Sequence, residues 1–161
     1  ITIGSYTITY NVNGGTGSIA STTKYEDITT NITTSIPTRS GYTFVGWTGT
    51  GLSEPTKIVT IEKGSVENRS YTANWVVTSF SISYNLNGGS IENASNSYSI
   101  DSETFTLPKP TRHGYTFTGW TGTNIVDGKI LKGTTGDLEI TANFIANTDT
   151  NAILSSIGYI R

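Results

Sequence analysis

Near the start of the chain Tyr6, Ile8, Tyr10 and Val12 alternate with Thr7, Thr9, Asn11 and Asn13, and further on Phe80, Ile82, Tyr84 and Leu86 alternate with Ser81, Ser83, Asn85 and Asn87. Residues two apart share one face of an extended chain, so each run predicts a half-buried β-strand, apolar on one side and wet on the other. Asn13-Gly14-Gly15 and Asn87-Gly88-Gly89 follow directly. Asn and Gly accept positive φ at little cost, which predicts a turn and a hairpin to strands around Ser21 to Tyr25 and Ser95 to Ile100. A third alternation, with Tyr71, Ala73 and Trp75 inward and Thr72 and Asn74 outward, predicts a strand that closes the unit.

These segments belong to an internal repeat of about seventy residues. The first block, Ile8 to Gly15, returns as Ile82 to Gly89. Pro37-Thr38-Arg39-Ser40-Gly41-Tyr42-Thr43-Phe44-Val45-Gly46-Trp47 returns as Pro110-Thr111-Arg112-His113-Gly114-Tyr115-Thr116-Phe117-Thr118-Gly119-Trp120, and Tyr71 to Trp75 returns as Ile140 to Phe144. The order is kept. Between the second and third blocks the first copy is longer around Leu52 to Lys57, as a surface loop tolerating length change would be. The expected organisation is one module over 1–76, a second over 77–145, and a tail, or the start of a further segment, over 146–161. A junction as short as Val76 to Ser79 favours contact between the modules over free swinging.

The stretch between the hairpin and the Pro-Thr-Arg block is less regular. Ile28, Ile32 and Ile36 have a helix-like spacing, but the residues between them are mostly Thr and Ser, which are poor helix formers. Extended chain or one weak helical turn is expected there and over Ile100 to Leu107, ended by Pro37 and Pro110.

The aromatic string carries two competing readings. Strict alternation puts Tyr42 and Phe44 on one face and Val45 and Trp47 on the other, and Tyr115, Phe117, Thr118 and Trp120 follow suit. Gly46 and Gly119 allow a bulge that turns each Trp back into the core. Core packing is the favoured reading, because a module this small cannot easily leave its largest apolar side chain unused. The other makes Trp47 and Trp120 a candidate ligand platform for sugar. The structural core is assigned to Tyr10, Tyr42, Phe44 and Trp75, and to Tyr84, Tyr115, Phe117 and Phe144.

Composition sharpens the picture. Charged residues make up 14% of the 161 and the net charge is −2, which supplies no electrostatic attraction for nucleic acid. Cys is absent, so no disulfide or thiolate metal site is available. No run approaches the roughly twenty apolar residues of a membrane span, so no membrane insertion is expected in this fragment. His113, the single histidine, stands where the first copy has Ser40, and reads as a loop residue. The carboxylates are scattered and no pair recurs in both copies, as an acid/base pair or calcium loop built into the module would. No catalytic, cofactor-binding or metal-ligating residues are assigned.

In Tyr-Asn-(Val/Leu)-Asn-Gly-Gly, Pro-Thr-Arg-x-Gly-Tyr-Thr-Phe-x-Gly-Trp and Thr-Ala-Asn-(Trp/Phe), the chain resembles the Listeria-Bacteroides repeat family, which includes the B-repeat of internalin B. The resemblance covers roughly Ile3 to Phe144. It implies a mainly β fold of two tandem, small, β-grasp-like modules with little or no helix, on an extracellular, secreted or wall-attached bacterial protein. Such repeats look like spacers or weakly adhesive modules, and the family carries no general catalytic residues. The expected function is a non-enzymatic surface-protein repeat, with a carbohydrate-binding module as the alternative. Expected partners are host or cell-wall glycans or surface proteins, for a chain otherwise monomeric.

Overall fold

The computed structural model describes residues 4–25, 32–148 and 158. It divides into two units, Ile1–Thr78 and Ser79–Arg161. All regular structure among the described residues is β.

In the first unit β1 (Ser5–Asn11), β2 (Thr22–Tyr25), β4 (Tyr42–Gly49) and β6 (Arg69–Val77) form a mixed sheet in the order β2-β1-β6-β4. β1 runs parallel to β6, with Ile8 opposite Arg69 and Tyr10 opposite Tyr71. β2 and β4 are antiparallel to their neighbours. The short strands β3 (Ile32–Thr33) and β5 (Thr60–Ile61) pair separately. In the second unit β7 (Phe80–Asn85), β8 (Ser97–Tyr98), β10 (Tyr115–Gly122) and β12 (Leu138–Ala146) repeat this as β10-β12-β7-β8, and β9 (Phe105–Thr106) pairs with β11 (Lys129–Ile130). Each half is thus the same arrangement, built twice.

The predicted turns form. Asn13 and Gly14 have φ of 49° and 85°, Asn87 and Gly88 have 47° and 83°, and the Gly15 and Gly89 amides donate to the Val12 and Leu86 carbonyls at 2.9 and 2.8 Å. They do not make tight hairpins, however. After the turn the chain first meets the Pro-Thr-Arg segment, where the Thr16 amide donates to Thr38 O at 2.7 Å and Ser90 bridges Thr111. The pairing β1–β2 comes later, with Ile8 opposite Thr22.

The helix-like Ile28 lies outside the described residues. Over the matching stretch of the second unit the chain makes one turn, closed by the Ser102 amide on Ser99 O at 3.1 Å, before extending into β9.

The core of the first unit is Ile8, Phe44, Trp47, Val59, Ile61, Tyr71 and Ala73. That of the second is Ile82, Tyr98, Leu107, Ile130, Leu138 and Ile140. Of the eight aromatic residues assigned to the core from sequence, Phe44 is buried, whereas Tyr10, Tyr42, Trp75, Tyr84, Tyr115, Phe117 and Phe144 are half-buried. A single small sheet has too little cover for so many large rings, so Phe44, Trp47, Tyr71 and Tyr98 share the centres with aliphatic residues while the other aromatics pack around them only partly covered. Burial pushes the Tyr10, Tyr84 and Tyr98 phenols above their ordinary range.

Candidate functional site

The recurring motif residues converge at one end of each sheet. The Arg39 guanidinium lies 3.7 Å from the centre of the Tyr42 ring, and Arg112 lies 3.7 Å from that of Tyr115. Each guanidinium also lies against the Asn-Gly turn, since a Cβ on Gly14 or Gly88 would come within 3.2 or 3.1 Å of it. The arginine is therefore held between a ring and a turn, where cation–π attraction acts on a partly desolvated charge. Gly15 and Gly89 are required by closeness: a Cβ there would meet Trp75 at 2.9 Å and Phe144 at 2.8 Å. The turn side chains reach across too, Asn13 Nδ2 donating to Ala73 O at 3.0 Å and Asn87 Nδ2 to Ala142 O at 2.8 Å. The Asn-Gly-Gly, Arg-x-Gly-Tyr and Thr-Ala-Asn motifs are three parts of one clasp.

The strand bearing the Trp is bulged as its glycine allows. The register shifts between Phe44 and Gly46 and between Phe117 and Gly119, skipping Val45 and Thr118. Phe and Trp then fall on the same face, 5.5 Å apart between ring centroids in both repeats. Sequence reasoning missed what holds the bulge. Asn74 Nδ2 donates to Gly46 O at 3.1 Å and to Thr48 Oγ1 at 2.9 Å, and Asn143 Nδ2 donates to Gly119 O at 3.1 Å and Thr121 Oγ1 at 3.0 Å. Asn74 is expected from alternation on the wet face; the signal that marks both asparagines is their recurrence in Thr-Ala-Asn, where any polar residue would suit simple exposure. Asn74→Ala and Asn143→Ala are each expected to destabilise their repeat by about 1–3 kcal/mol, because the bulge carbonyl loses its donor. Urea midpoints measure the loss, and a change within error would remove the clamp role.

The two tryptophans differ in one respect that bears on ligand binding. Both indole N–H groups donate to a carbonyl, Trp47 to Ser35 O at 3.0 Å and Trp120 to Pro108 O at 3.1 Å. Trp47 is 0% exposed and offers no face to a ligand, so of its two readings core packing holds and the platform does not. It is covered by the longer loop: Leu52 packs on the core, and Thr56 pairs with Trp47 through hydrogen bonds of 2.7 and 2.9 Å. The span from Gly49 to Ile61 is four residues longer than that from Gly122 to Ile130. Trp120 is left half-buried and lines a groove of about 470 Å³ with Phe117, Gly119, Ile125, Lys109 and Asp127. A neighbouring hollow of about 700 Å³ is lined by Arg112, His113, Tyr115 and Asn147.

Among the described residues the titratable groups form no constellation. His113 is exposed. Asp137 accepts from the Ser81 amide at 2.9 Å, and at the same position of the first repeat Asn68 accepts from Thr7 at 2.9 Å, so this carboxylate does an amide's structural work. Glu103 and Lys132 form an exposed pair at 2.8 Å that draws the ammonium pKa upward through their hydrogen bond. Among the described residues no three His, Asp or Glu side chains gather as a metal site would need.

The geometry defines a class, a tandem pair of small mixed β-sheets each fastened by a turn–arginine–tyrosine clasp. The sequence profile of the Listeria-Bacteroides repeat domain matches residues 6–69 and again 80–143, and the chain belongs to that family. The family is typical of bacterial surface proteins. No curated protein matches the chain.

Proposed function

We propose that the chain is a non-enzymatic structural repeat of a secreted or cell-surface bacterial protein, in which each copy acts as a folded spacer and adhesion is a property of individual repeat surfaces. The observation that carries this reading is what was duplicated. The Arg–Tyr stack recurs at 3.7 Å and the Phe–Trp contact at 5.5 Å, while no carboxylate pair recurs and His113 has Ser40 as its counterpart. Selection on a reaction or a bound ion would retain the ligating or proton-carrying groups in at least one arranged set. A sugar platform common to both repeats is disfavoured by the burial of Trp47.

The spacer reading is tested by joining two, four and six repeats and measuring small-angle scattering. The radius of gyration is expected to rise with every added pair, and arrays that collapse to a constant size would rule it out. Surface placement is tested separately, by protease shaving of intact cells that make the parent protein. Release of repeat peptides without lysis is expected, and full protection would refute it.

A further inference from the structure

We propose that the second repeat binds an extended peptide segment of a partner protein at the outer edge of β10, by adding it as a strand beside Trp120, and that the segment carries a Pro-Thr step flanked by charged residues. The first repeat shows the occupied form of this site. There the backbone Trp47 N–H donates to Thr56 O at 2.7 Å and the Thr56 N–H donates to Trp47 O at 2.9 Å, so Thr56 bridges the edge of β4 at one residue, with Pro55 against Gly46 beside it.

Among the described residues, the second repeat has the same edge without the occupant. Trp120 stands opposite Ala142 as Trp47 stands opposite Ala73, so its N–H and C=O also point away from the sheet. Among the described residues no backbone group is hydrogen-bonded to either. The space is open as well. A Cβ on Gly46 would lie 2.6 Å from Thr56 N and 2.8 Å from the Pro55 carbonyl carbon, whereas one on Gly119 meets nothing within 4 Å. The missing strand leaves the groove of about 470 Å³ and the exposed face of Trp120.

An unpaired strand edge beside an aromatic floor is the geometry of β-strand addition, in which main-chain hydrogen bonds give affinity and side-chain pockets give selectivity. Lys109 and Asp127 both line the groove. A segment such as Glu-Pro-Thr-Lys, with an acid and a base around the paired Thr, offers each of them a charge of opposite sign. This inference goes beyond the spacer role and does not depend on it.

The test titrates the isotope-labelled two-repeat chain with the synthetic peptide Leu-Ser-Glu-Pro-Thr-Lys-Ile, the sequence of residues 52–58. Saturable shifts are expected at the Thr118 to Thr121 amides and the Trp120 indole, with dissociation constants of about a millimolar or below. Methylating the Thr amide nitrogen of the peptide removes one strand hydrogen bond and is expected to weaken binding about tenfold. Grafting Leu52 to Lys57 into the shorter loop of the second repeat is expected to abolish binding while the spectrum stays dispersed, and Gly119→Ala to reduce it by filling the edge. The N-methyl peptide needs no protein variant, so misfolding of either variant leaves the decision intact. Absence of shifts at several millimolar peptide, or shifts indifferent to N-methylation, would overturn the proposal. Perturbation of Trp120 by oligosaccharides but not by peptide would assign the groove to sugar and overturn it too.

Discussion

Trp47→Ala is expected to abolish the cooperative unfolding of the first repeat under conditions where the second still melts as a unit. The indole is fully buried, touches Tyr10 and Phe44 at ring-centroid distances of 5.6 and 5.5 Å, and donates to Ser35 O. Truncating a core Trp removes its transfer free energy and leaves a cavity, a cost of about 3–5 kcal/mol, and the Ser35 carbonyl loses its donor besides. That is most of what a domain of this size has at its disposal. Trp120→Ala is expected to cost about 1–3 kcal/mol, because part of its surface already faces water and truncation exposes less that is new. Calorimetry on the two-repeat chain resolves the effects, and equal losses at the two sites would contradict the difference in cover on which the edge-binding inference rests.

The duplication, the strand alternation and the bulge were all legible in the sequence, and each for a physical reason. Ile8 between Thr7 and Thr9 announces its face because strand side chains alternate, and Ile8 is 0% exposed. Gly46 announced a break in that alternation because a strand-interior Gly has no packing of its own to contribute. What stayed hidden depends on contacts distant along the chain. Nothing near Ile8 states that it will lie beside Arg69 in a parallel pair, since the pairing is set by the whole path between them. The Asn-Gly-Gly turn was visible, but its partner was read as the next strand, when it is the arginine more than twenty residues on that packs against the turn.

The loop at Leu52 to Lys57 was visible only as an insertion. A length difference says where cover is added or lost but not what lies beneath it, and here it decides whether a Trp is core or surface. The same limit applies to Tyr42 and Tyr115, whose apolar character suggested the interior. Their rings are half-buried, each with an arginine guanidinium stacked on it.

Gly49→Ala is expected to be the most damaging of the single-methyl changes. Gly49 closes β4 opposite Tyr71 with φ of 144°, and a Cβ there would stand 2.0 Å from the Ser70 carbonyl oxygen. No rotamer relieves that overlap, because both groups are backbone. The strand end must part from β6, which breaks the contact of the Thr50 amide with Ser70 O at 3.2 Å and that of the Ser70 amide with Thr50 Oγ1 at 3.1 Å. Backbone strain of about 1–3 kcal/mol and overpacking of about 1–3 kcal/mol act together at this one position. Gly122→Ala, where the nearest atom is Glu139 O at 2.8 Å, is expected to cost less. Gly64→Ala isolates the conformational part, since its φ is 90° but a Cβ would meet nothing within 4 Å, and about 1 kcal/mol is expected. Chemical denaturation of the three variants should rank them Gly49, Gly122, Gly64 in falling cost. If Gly64→Ala matched Gly49→Ala, the dihedral angle alone would account for the glycines and the close approach of β4 to β6 would lose its role.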